Sequence, residues 1–141
     1  MTSPPLVVEP LTAAPDVSIA VPGSKSHTNR ALVCAALASG RSLLSGALFA
    51  DDTLAMMGAL RQMGLAVEDD PEAATVAVEG NGGSLPPGPI DFDVAQSGTT
   101  SRFLLALLAL GPGPYVVDGD AQLRARPFGP LLAALRHLGT D

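Results

Sequence analysis

The sequence predicts a mixed α/β fold in which one unit of alternating helices and strands is used twice. Stretches that alternate apolar and polar residues, as half-buried strands do, are interleaved with apolar stretches long enough for helices. The hexapeptide at 59–64 recurs with two substitutions at 134–139. Residues 26–40 also match 97–111, because each has a hydroxyl-rich start, an arginine, an apolar body and a terminal glycine. A repeated α/β unit explains all three observations.

A predicted strand comes before the first copy, which itself begins with a predicted helix. Alternation at 16–21 predicts the strand, and the Pro-Gly pair at 22–23 ends it. The helix is predicted to begin near Ser24 or Ser26, with a hydroxyl group as its N-cap. No helix-breaking residue follows until Gly40.

The rest of the first copy is predicted to be a strand, a helix and a hairpin. The strand lies at 43–45. Asp51 and Asp52 follow it, and adjacent acids in that place are typical of the cap and first turn of a helix. Alternation at 65–68 and again at 75–79 predicts the two strands of the hairpin.

The second copy is predicted to repeat this order and to stop early. Strands are predicted at 90–94 and 115–118, on either side of its first helix. The copy stops at Asp141, where the hairpin of the first copy would have its counterpart, so we expect the chain to end inside a repeat. The predicted organisation is opening strands at 1–21, a first α/β repeat at 22–80, a Gly- and Pro-rich linker at 81–89 and an incomplete second repeat at 90–141.

Composition and charge argue against several classes of function. The 141 residues are 47% hydrophobic, enough for one ordinary core, and their net charge of −6 argues against general nucleic-acid binding. The longest apolar runs fall far short of the ~20 residues that span a bilayer. No basic segment followed by an apolar one opens the chain, so we expect a cytoplasmic location and no membrane partner. The single Cys34 cannot form an internal disulfide and is expected to be a small core residue.

The segment after the first predicted strand brings cationic and hydroxyl side chains to a helix start. Lys25, the only lysine, lies there with Ser26 and Arg30, which are one helical turn apart on one face. A helix N-terminus has unpaired N–H groups and about half a positive charge, which favours phosphate or carboxylate. A nucleotide-binding P-loop would need glycine where this chain has Ser24 and Ala20. We therefore predict an anion site of another kind, with a solvated helix cap as the alternative.

A second segment has the same chemistry. Gly98 lies among hydroxyl residues at the start of the second copy's helix, where it lets backbone N–H groups approach a ligand closely. Arg102 follows Gly98 by four residues, as Arg30 follows Ser26. The second helix start is therefore predicted to bind an anion as well.

A third basic segment precedes the last predicted helix. Pro127 suits a first helical turn, which would put Arg126 at a helix N-terminus. A cation there opposes the helix dipole unless an anion or carboxylate neutralises it. Either a bound anion or a salt bridge to Asp118 or Asp120 would do so.

Together these motifs resemble those of the EPSP synthase family, the 3-phosphoshikimate 1-carboxyvinyltransferases. The resemblance covers 17–139 and rests on Pro-Gly-Ser-Lys-Ser-x-Thr-Asn-Arg-Ala-Leu at 22–32, Asp-Asp-Thr at 51–53, Ser-Gly-Thr-x-x-Arg-Phe at 97–103, Asp-Gly-Asp at 118–120 and Arg-Pro-x-Gly-Pro-Leu at 126–131. It implies the two-domain enolpyruvyl transferase fold, built from repeated βαβαββ units with the active site between the domains. This chain would supply the opening strand of one domain and about two repeats of the other.

The resemblance also implies a reaction and its site residues. The enolpyruvyl group of phosphoenolpyruvate would pass to the 5-hydroxyl of shikimate 3-phosphate with release of phosphate, on the shikimate route to chorismate and the aromatic amino acids. Shikimate 3-phosphate would be held by Lys25, Ser26 and Arg30. Phosphoenolpyruvate would be held by Lys25, Gly98 and Arg126, and Lys25 would be the catalytic residue. No cofactor is implied, and the full-length enzyme is expected to be a monomer.

The chain departs from the family pattern at a few points. Gln96 stands where many relatives have asparagine, and Gln122 where many have arginine. The family's Ser-Ser-Gln segment, acidic general base and later arginines and lysine have no counterpart before Asp141, so catalysis is expected to require the C-terminal part of the fold. His27 and His137 are far apart in sequence and lack a supporting ligand cluster, so no metal site is predicted.

Two alternatives remain open. The related UDP-N-acetylglucosamine enolpyruvyl transferases replace Ser26 by asparagine and lack the Thr-Asn-Arg match at 28–30. The other alternative is a phosphometabolite-binding module that has kept the anion sites and lost the chemistry. Binding of shikimate 3-phosphate without turnover, even when the rest of the fold is supplied, would identify such a module.

Overall fold

Five helices and five strands lie along residues 6–140, the part of the chain that the computed structural model describes. In chain order they are α1 (Lys25–Leu37), β1 (Ser39–Ser45), α2 (Asp51–Gln62), β2 (Val67–Asp70), β3 (Thr75–Asn81), β4 (Ile90–Asp93), α3 (Gly98–Leu108), β5 (Tyr115–Asp118), α4 (Ala121–Arg124) and α5 (Gly129–His137). This order confirms the mixed α/β class. None of the described helices is both long enough and apolar enough to cross a membrane.

The strands form two sheets. In the first, β3 lies between β1 and β2 and pairs antiparallel with both, so the predicted hairpin is confirmed. In the second, β4 and β5 pair in parallel, with Ile90 opposite Tyr115 and Asp93 opposite Asp118, and α3 makes the crossover between them. The carboxyl ends of two parallel strands lie at the same edge of a sheet, where α/β proteins commonly bind ligands.

The opening strand is absent from the described part of the chain. The prediction of opening strands at 1–21 is wrong for residues 6–21, which contain no helix or strand, while residues 1–5 lie outside the described residues. Val17, Ile19 and Val21 are 68%, 77% and 80% exposed. Alternation makes a strand only where a neighbour accepts its hydrogen bonds, and no strand among residues 6–140 pairs with this segment.

Three helices meet in the core. Helices α1, α2 and α3 pack against one another, and α1 also packs on β3. Leu32, Met56, Leu60, Val78 and Leu104 have no exposed surface. This packing fixes the N-terminal ends of the three helices relative to one another.

Cys34 lies outside this core. Its prediction as a core residue is wrong, because it is exposed. The face that α1 buries contains Leu32, Ala35 and Ala36, spaced three to four residues apart, and Cys34 falls on the opposite face.

The apolar surface of the second copy is less completely buried than that of the first. Helix α5 has no fully buried residue, and a groove of about 640 Å³, lined in part by Leu105, Leu132 and Leu135, lies between α3, β5 and α5. In the first copy, β3 packs on α1 and β2 packs on α2. When the two copies of the repeat are compared, the groove in the second copy lies at the position that the β2–β3 hairpin occupies in the first.

Two buried threonines hold the loop between β1 and α2. Thr28 Oγ1 accepts a hydrogen bond from Leu48 N at 3.0 Å. Thr53, which has no exposed surface, donates from Oγ1 to Leu48 O at 2.7 Å and accepts from Ala50 N at 3.0 Å. The hydroxyls therefore fix where α2 begins.

Replacing Thr53 by valine is expected to lower the free energy of unfolding by about 1–3 kcal/mol. Valine keeps the shape but leaves the loop's polar groups unpaired in a buried place. Chemical denaturation of Thr53→Val beside Thr75→Val, a matched control on β3 whose hydroxyl makes no hydrogen bond among the described residues, measures the effect. An unfolding free energy for Thr53→Val equal to that of the control would show that these bonds do not hold the loop.

Candidate functional site

Both predicted helix starts are present. Helix α1 begins at Lys25, and its N-cap Ser24 accepts a hydrogen bond from His27 N. Helix α3 begins at Gly98, and its N-cap Ser97 accepts from Thr100 N. Neither first turn contains an acidic residue, so the helix N-termini are not neutralised by their own side chains.

Glycines let the loops around these helix starts touch. A Cβ atom on Gly23 would overlap Gly46 O, and one on Gly119 would overlap Ala95 O. Backbone hydrogen bonds join the loops after β4 and β5, from Val94 N to Asp118 O and from Asp120 N to Ala95 O, both at 3.0 Å. The loop after β5 is thereby held against the start of α3.

Lys25, Gly98 and Arg126 come together at one cleft. The cleft has a volume of about 230 Å³, and Lys25, Ser97 and Arg126 contribute to its lining. Gly98 is buried beside it, and a Cβ atom added there would overlap Nη1 of Arg126. The guanidinium of Arg126 therefore lies directly over the start of α3.

Ser26 and Arg30 lie beside this cleft and are not part of its lining. Arg30 Nη1 donates to Ser26 Oγ at 2.5 Å, so the two side chains share one helix face as predicted. The Arg30 guanidinium also lies 5.8 Å from the ring centroid of Phe103 on α3. Together the two residues form a polar patch on α1 that begins at the residue directly after Lys25.

Arg126 is positioned differently from the prediction. Helix α5 begins at Gly129 with Pro130 in its first turn, so Pro127 is not in a first helical turn and Arg126 is not at a helix start. The reason is that Asp120 caps a separate short helix, α4, and the chain turns after it before α5 begins. Arg126 lies in that turn.

The carboxylates proposed as alternative partners of Arg126 are engaged elsewhere. Arg124 donates to both oxygens of Asp118, from Nε at 2.9 Å and from Nη2 at 2.6 Å. Asp120 accepts from Leu123 N at 2.9 Å. Among residues 6–140, Arg126 makes no ion pair and no side-chain hydrogen bond. Its guanidinium therefore remains available to a ligand.

The ion pair between Arg124 and Asp118 predicts how the titration of Asp118 and the stability of the fold depend on pH. Hydrogen bonds from Arg124 and from Gly119 N lower the pKa of Asp118 from 3.8 to about 2. Because the folded-state pKa is depressed, the pair's stabilising contribution is present above pH 3.8 and is lost as the pH falls toward 2. We expect the Asp118 carboxyl carbon to titrate near pH 2 by NMR, and to return toward 3.8 in Arg124→Met. A titration unchanged by that substitution would contradict the pairing.

Asp52 is the cleft residue whose part in the site the sequence did not reveal. It lies in the first turn of α2, as predicted, but its side chain faces the cleft. Oδ2 accepts from Lys25 Nζ at 2.9 Å and Oδ1 accepts from Ser97 Oγ at 2.5 Å. The match to the family's Asp-Asp-Thr signature at 51–53 was the available signal.

The electrostatics of the cleft follow from these contacts. Burial raises the pKa of Asp52. Hydrogen bonds from Ser97 and Lys25 and the positive charges of Lys25 and Arg126 lower it, and together they outweigh burial, so the pKa of Asp52 lies below its ordinary value. The cleft is thus lined by the cations of Lys25 and Arg126 and by the carboxylates of Asp51 and Asp52, and the starts of α1 and α3 lie at it. Lys25 is paired with Asp52, whereas the Arg126 guanidinium makes no ion pair among residues 6–140, so this guanidinium and the two helix N-termini are the features that suit a small anion with phosphate or carboxylate groups.

Comparisons with known proteins point to one family. Residues 13–141 match the family model of EPSP synthase (3-phosphoshikimate 1-carboxyvinyltransferase). A 3-phosphoshikimate 1-carboxyvinyltransferase of Rhizobium etli (strain CIAT 652) is 52% identical over 120 residues, which are 85% of this chain and 28% of the relative. One from Nostoc punctiforme is 44% identical over 124 residues, 88% of this chain and 29% of the relative.

Solved structures agree with the sequence comparisons. The structure of EPSP synthase from Acinetobacter baumannii superimposes with a TM-score of 0.80 at 33% identity, over 86% of this chain and 27% of that chain. The chain therefore spans less than a third of the length of the relatives that it matches.

Proposed function

Because the chain belongs to the EPSP synthase family, we propose that it contributes the anion-binding part of a site that transfers an enolpyruvyl group from phosphoenolpyruvate to the 5-hydroxyl of shikimate 3-phosphate. Phosphate is the other product. The observation that carries the proposal is the convergence of Lys25, Gly98 and Arg126 on one cleft.

Shikimate 3-phosphate is assigned to the outer part of the site. Ser26 and Arg30 lie together on α1 and offer a hydroxyl and a guanidinium to its phosphate. Arginine suits this task because its planar fork can donate two parallel hydrogen bonds to a phosphate. Lys25, the residue before Ser26 at the start of the same helix, contacts the same substrate.

Phosphoenolpyruvate is assigned to the cleft itself. The backbone at Gly98 opens α3, where N–H groups without helical partners favour an anion, and Arg126 adds a full positive charge above them. A side chain at position 98 would displace that guanidinium, so glycine is required for the arrangement. Lys25 completes this subsite from the α1 side.

The chemistry that these residues support is charge neutralisation and positioning. Both substrates are anions that repel each other, so bringing their reacting atoms together requires cations between and around them. Lys25 lies where it can neutralise both, and its ammonium can stabilise charge that develops in the tetrahedral intermediate. The acid and base groups that the reaction also needs are proposed to come from the part of the enzyme that this chain does not include. The complete enzyme is proposed to be a monomeric cytoplasmic protein that needs no cofactor.

A chimera tests the proposal. In it, this chain replaces the corresponding 28% of the Rhizobium etli relative. We expect phosphate release that requires both shikimate 3-phosphate and phosphoenolpyruvate, and that is lost on substitution of Lys25 by methionine. A folded chimera that binds shikimate 3-phosphate without releasing phosphate would favour a non-catalytic binding module. Release that instead requires UDP-N-acetylglucosamine would identify the related transferase.

A further inference from the structure

We propose that Asp52 is a positioning residue that holds the ammonium group of Lys25 and the hydroxyl group of Ser97 at the cleft. The inference deepens the proposed function and rests on it for the identity of the ligand. Asp52 belongs to α2, which supplies none of the residues assigned above to either substrate. Its role is to act through Lys25.

The contacts of Asp52 join three helices at one point. Its carboxylate accepts from Lys25 at the start of α1 and from Ser97 at the cap of α3. Its backbone carbonyl accepts from Thr100 Oγ1 at 2.7 Å. Thr53, the next residue, is anchored to the loop before α2. The position of the Asp52 carboxylate is therefore fixed by contacts to α3 and to the loop before α2, so it can hold a more flexible side chain in place.

Lys25 is the partner that needs fixing. Its side chain is 49% exposed, whereas that of Asp52 is 22% exposed. A lysine ammonium on a flexible four-carbon stem is strongly hydrated and has many rotamers in solution. A surface ion pair would restrain it little, but a partly buried carboxylate that also accepts from Ser97 defines one direction for the ammonium.

Counting the donors shows why this contact is compatible with substrate binding. A lysine ammonium has three N–H donors. Asp52 accepts one of them, so two remain for the two substrates that Lys25 is proposed to touch. Asp52 also adds negative charge to an anion site, which opposes anion binding through space. Positioning and repulsion therefore predict opposite effects of removing its charge.

The single lysine makes the positioning directly measurable. In protein labelled with ¹⁵N at lysine Nζ, Lys25 gives the only side-chain ammonium signal. We expect ¹⁵N relaxation of this signal in the wild-type chain to show a more restricted ammonium than in free lysine. Asp52→Asn should increase its mobility, and Asp52→Glu should restore part of the restriction. An ammonium as mobile in the wild-type chain as in free lysine would overturn the proposal without any variant.

Binding distinguishes positioning from charge. Asp51 carries the same formal charge in the same turn of α2 but makes no hydrogen bond to Lys25. Asp51→Asn therefore measures the effect on anion binding of removing a charge that acts only through space. In NMR titrations with phosphoenolpyruvate, we expect equal or tighter binding for Asp51→Asn and about tenfold weaker binding for Asp52→Asn. Equal changes in the two variants would overturn the proposal.

The two measurements separate this inference from the proposed function. If the wild-type chain bound neither phosphoenolpyruvate nor shikimate 3-phosphate, the proposed function would fail. The relaxation of the Lys25 ammonium would still decide whether Asp52 holds it. A restricted ammonium in the wild-type chain that Asp52→Asn releases supports the positioning role whatever the ligand proves to be.

Discussion

Replacing Lys25 by methionine is expected to weaken binding of both shikimate 3-phosphate and phosphoenolpyruvate by about tenfold to a hundredfold. Methionine preserves much of the length and volume of the side chain but removes the only cation that is assigned to both substrates. A hydrogen bond to a charged group contributes about 1.5–3 kcal/mol, and each 1.4 kcal/mol is a tenfold change in affinity. The substitution also leaves Asp52 without its ion pair, so its carboxylate repels the incoming anions.

The matched control for Lys25→Met is Arg41→Met. Arg41 is an exposed cation on β1 that pairs with Glu68, on the hairpin side of the first copy and outside the cleft lining. Calorimetric titration of both variants with each substrate measures the difference. Equal losses of affinity in the two variants would show that Lys25 acts only through the overall charge of the chain.

The second large effect is expected from replacing Gly98 by alanine. The added methyl group would overlap Nη1 of Arg126 and approach Nη1 of Arg102, both at the ends of flexible side chains. The protein should therefore fold, with the Arg126 guanidinium displaced. We expect phosphoenolpyruvate to bind about tenfold more weakly, because a charge-assisted contact is weakened, and shikimate 3-phosphate to bind as before.

Gly58→Ala is the control for this prediction. Gly58 lies inside α2, and a Cβ atom there would meet no atom within 4 Å. Alanine in a helix interior is favoured over glycine by about 1 kcal/mol, so this variant should be slightly more stable and bind both substrates normally. Equal losses of affinity for the two substrates in Gly98→Ala would contradict the assignment of Gly98 to phosphoenolpyruvate.

The helix starts could be predicted from the sequence because their signals are local. A serine cap, a following apolar stretch and a terminal glycine lie within about fifteen residues of one another, and such signals act without tertiary context. The four-residue spacing of Ser26 and Arg30 gave their shared face for the same reason. The repeat then predicted that the start of α3 has the chemistry of the start of α1.

Other features depend on contacts that the local sequence does not contain. The segment at 16–21 has the alternation of a strand, but a strand also needs a partner. The position of Arg126 depends on the short helix α4, which separates it from α5. The role of Asp52 depends on the packing of α1, α2 and α3, because its partners Lys25 and Ser97 are 27 and 45 residues away in sequence.

The central claim is that the starts of α1 and α3 and the turn containing Arg126 form one site for two anionic substrates. The most direct measurement is an NMR titration of the ¹⁵N-labelled chain with each substrate in turn. We predict saturable shifts for phosphoenolpyruvate centred on the amides of Lys25, Gly98 and Arg126, and for shikimate 3-phosphate centred on those of Ser26 and Arg30. Shifts that do not saturate, or that centre on the groove between α3 and α5, would contradict the account.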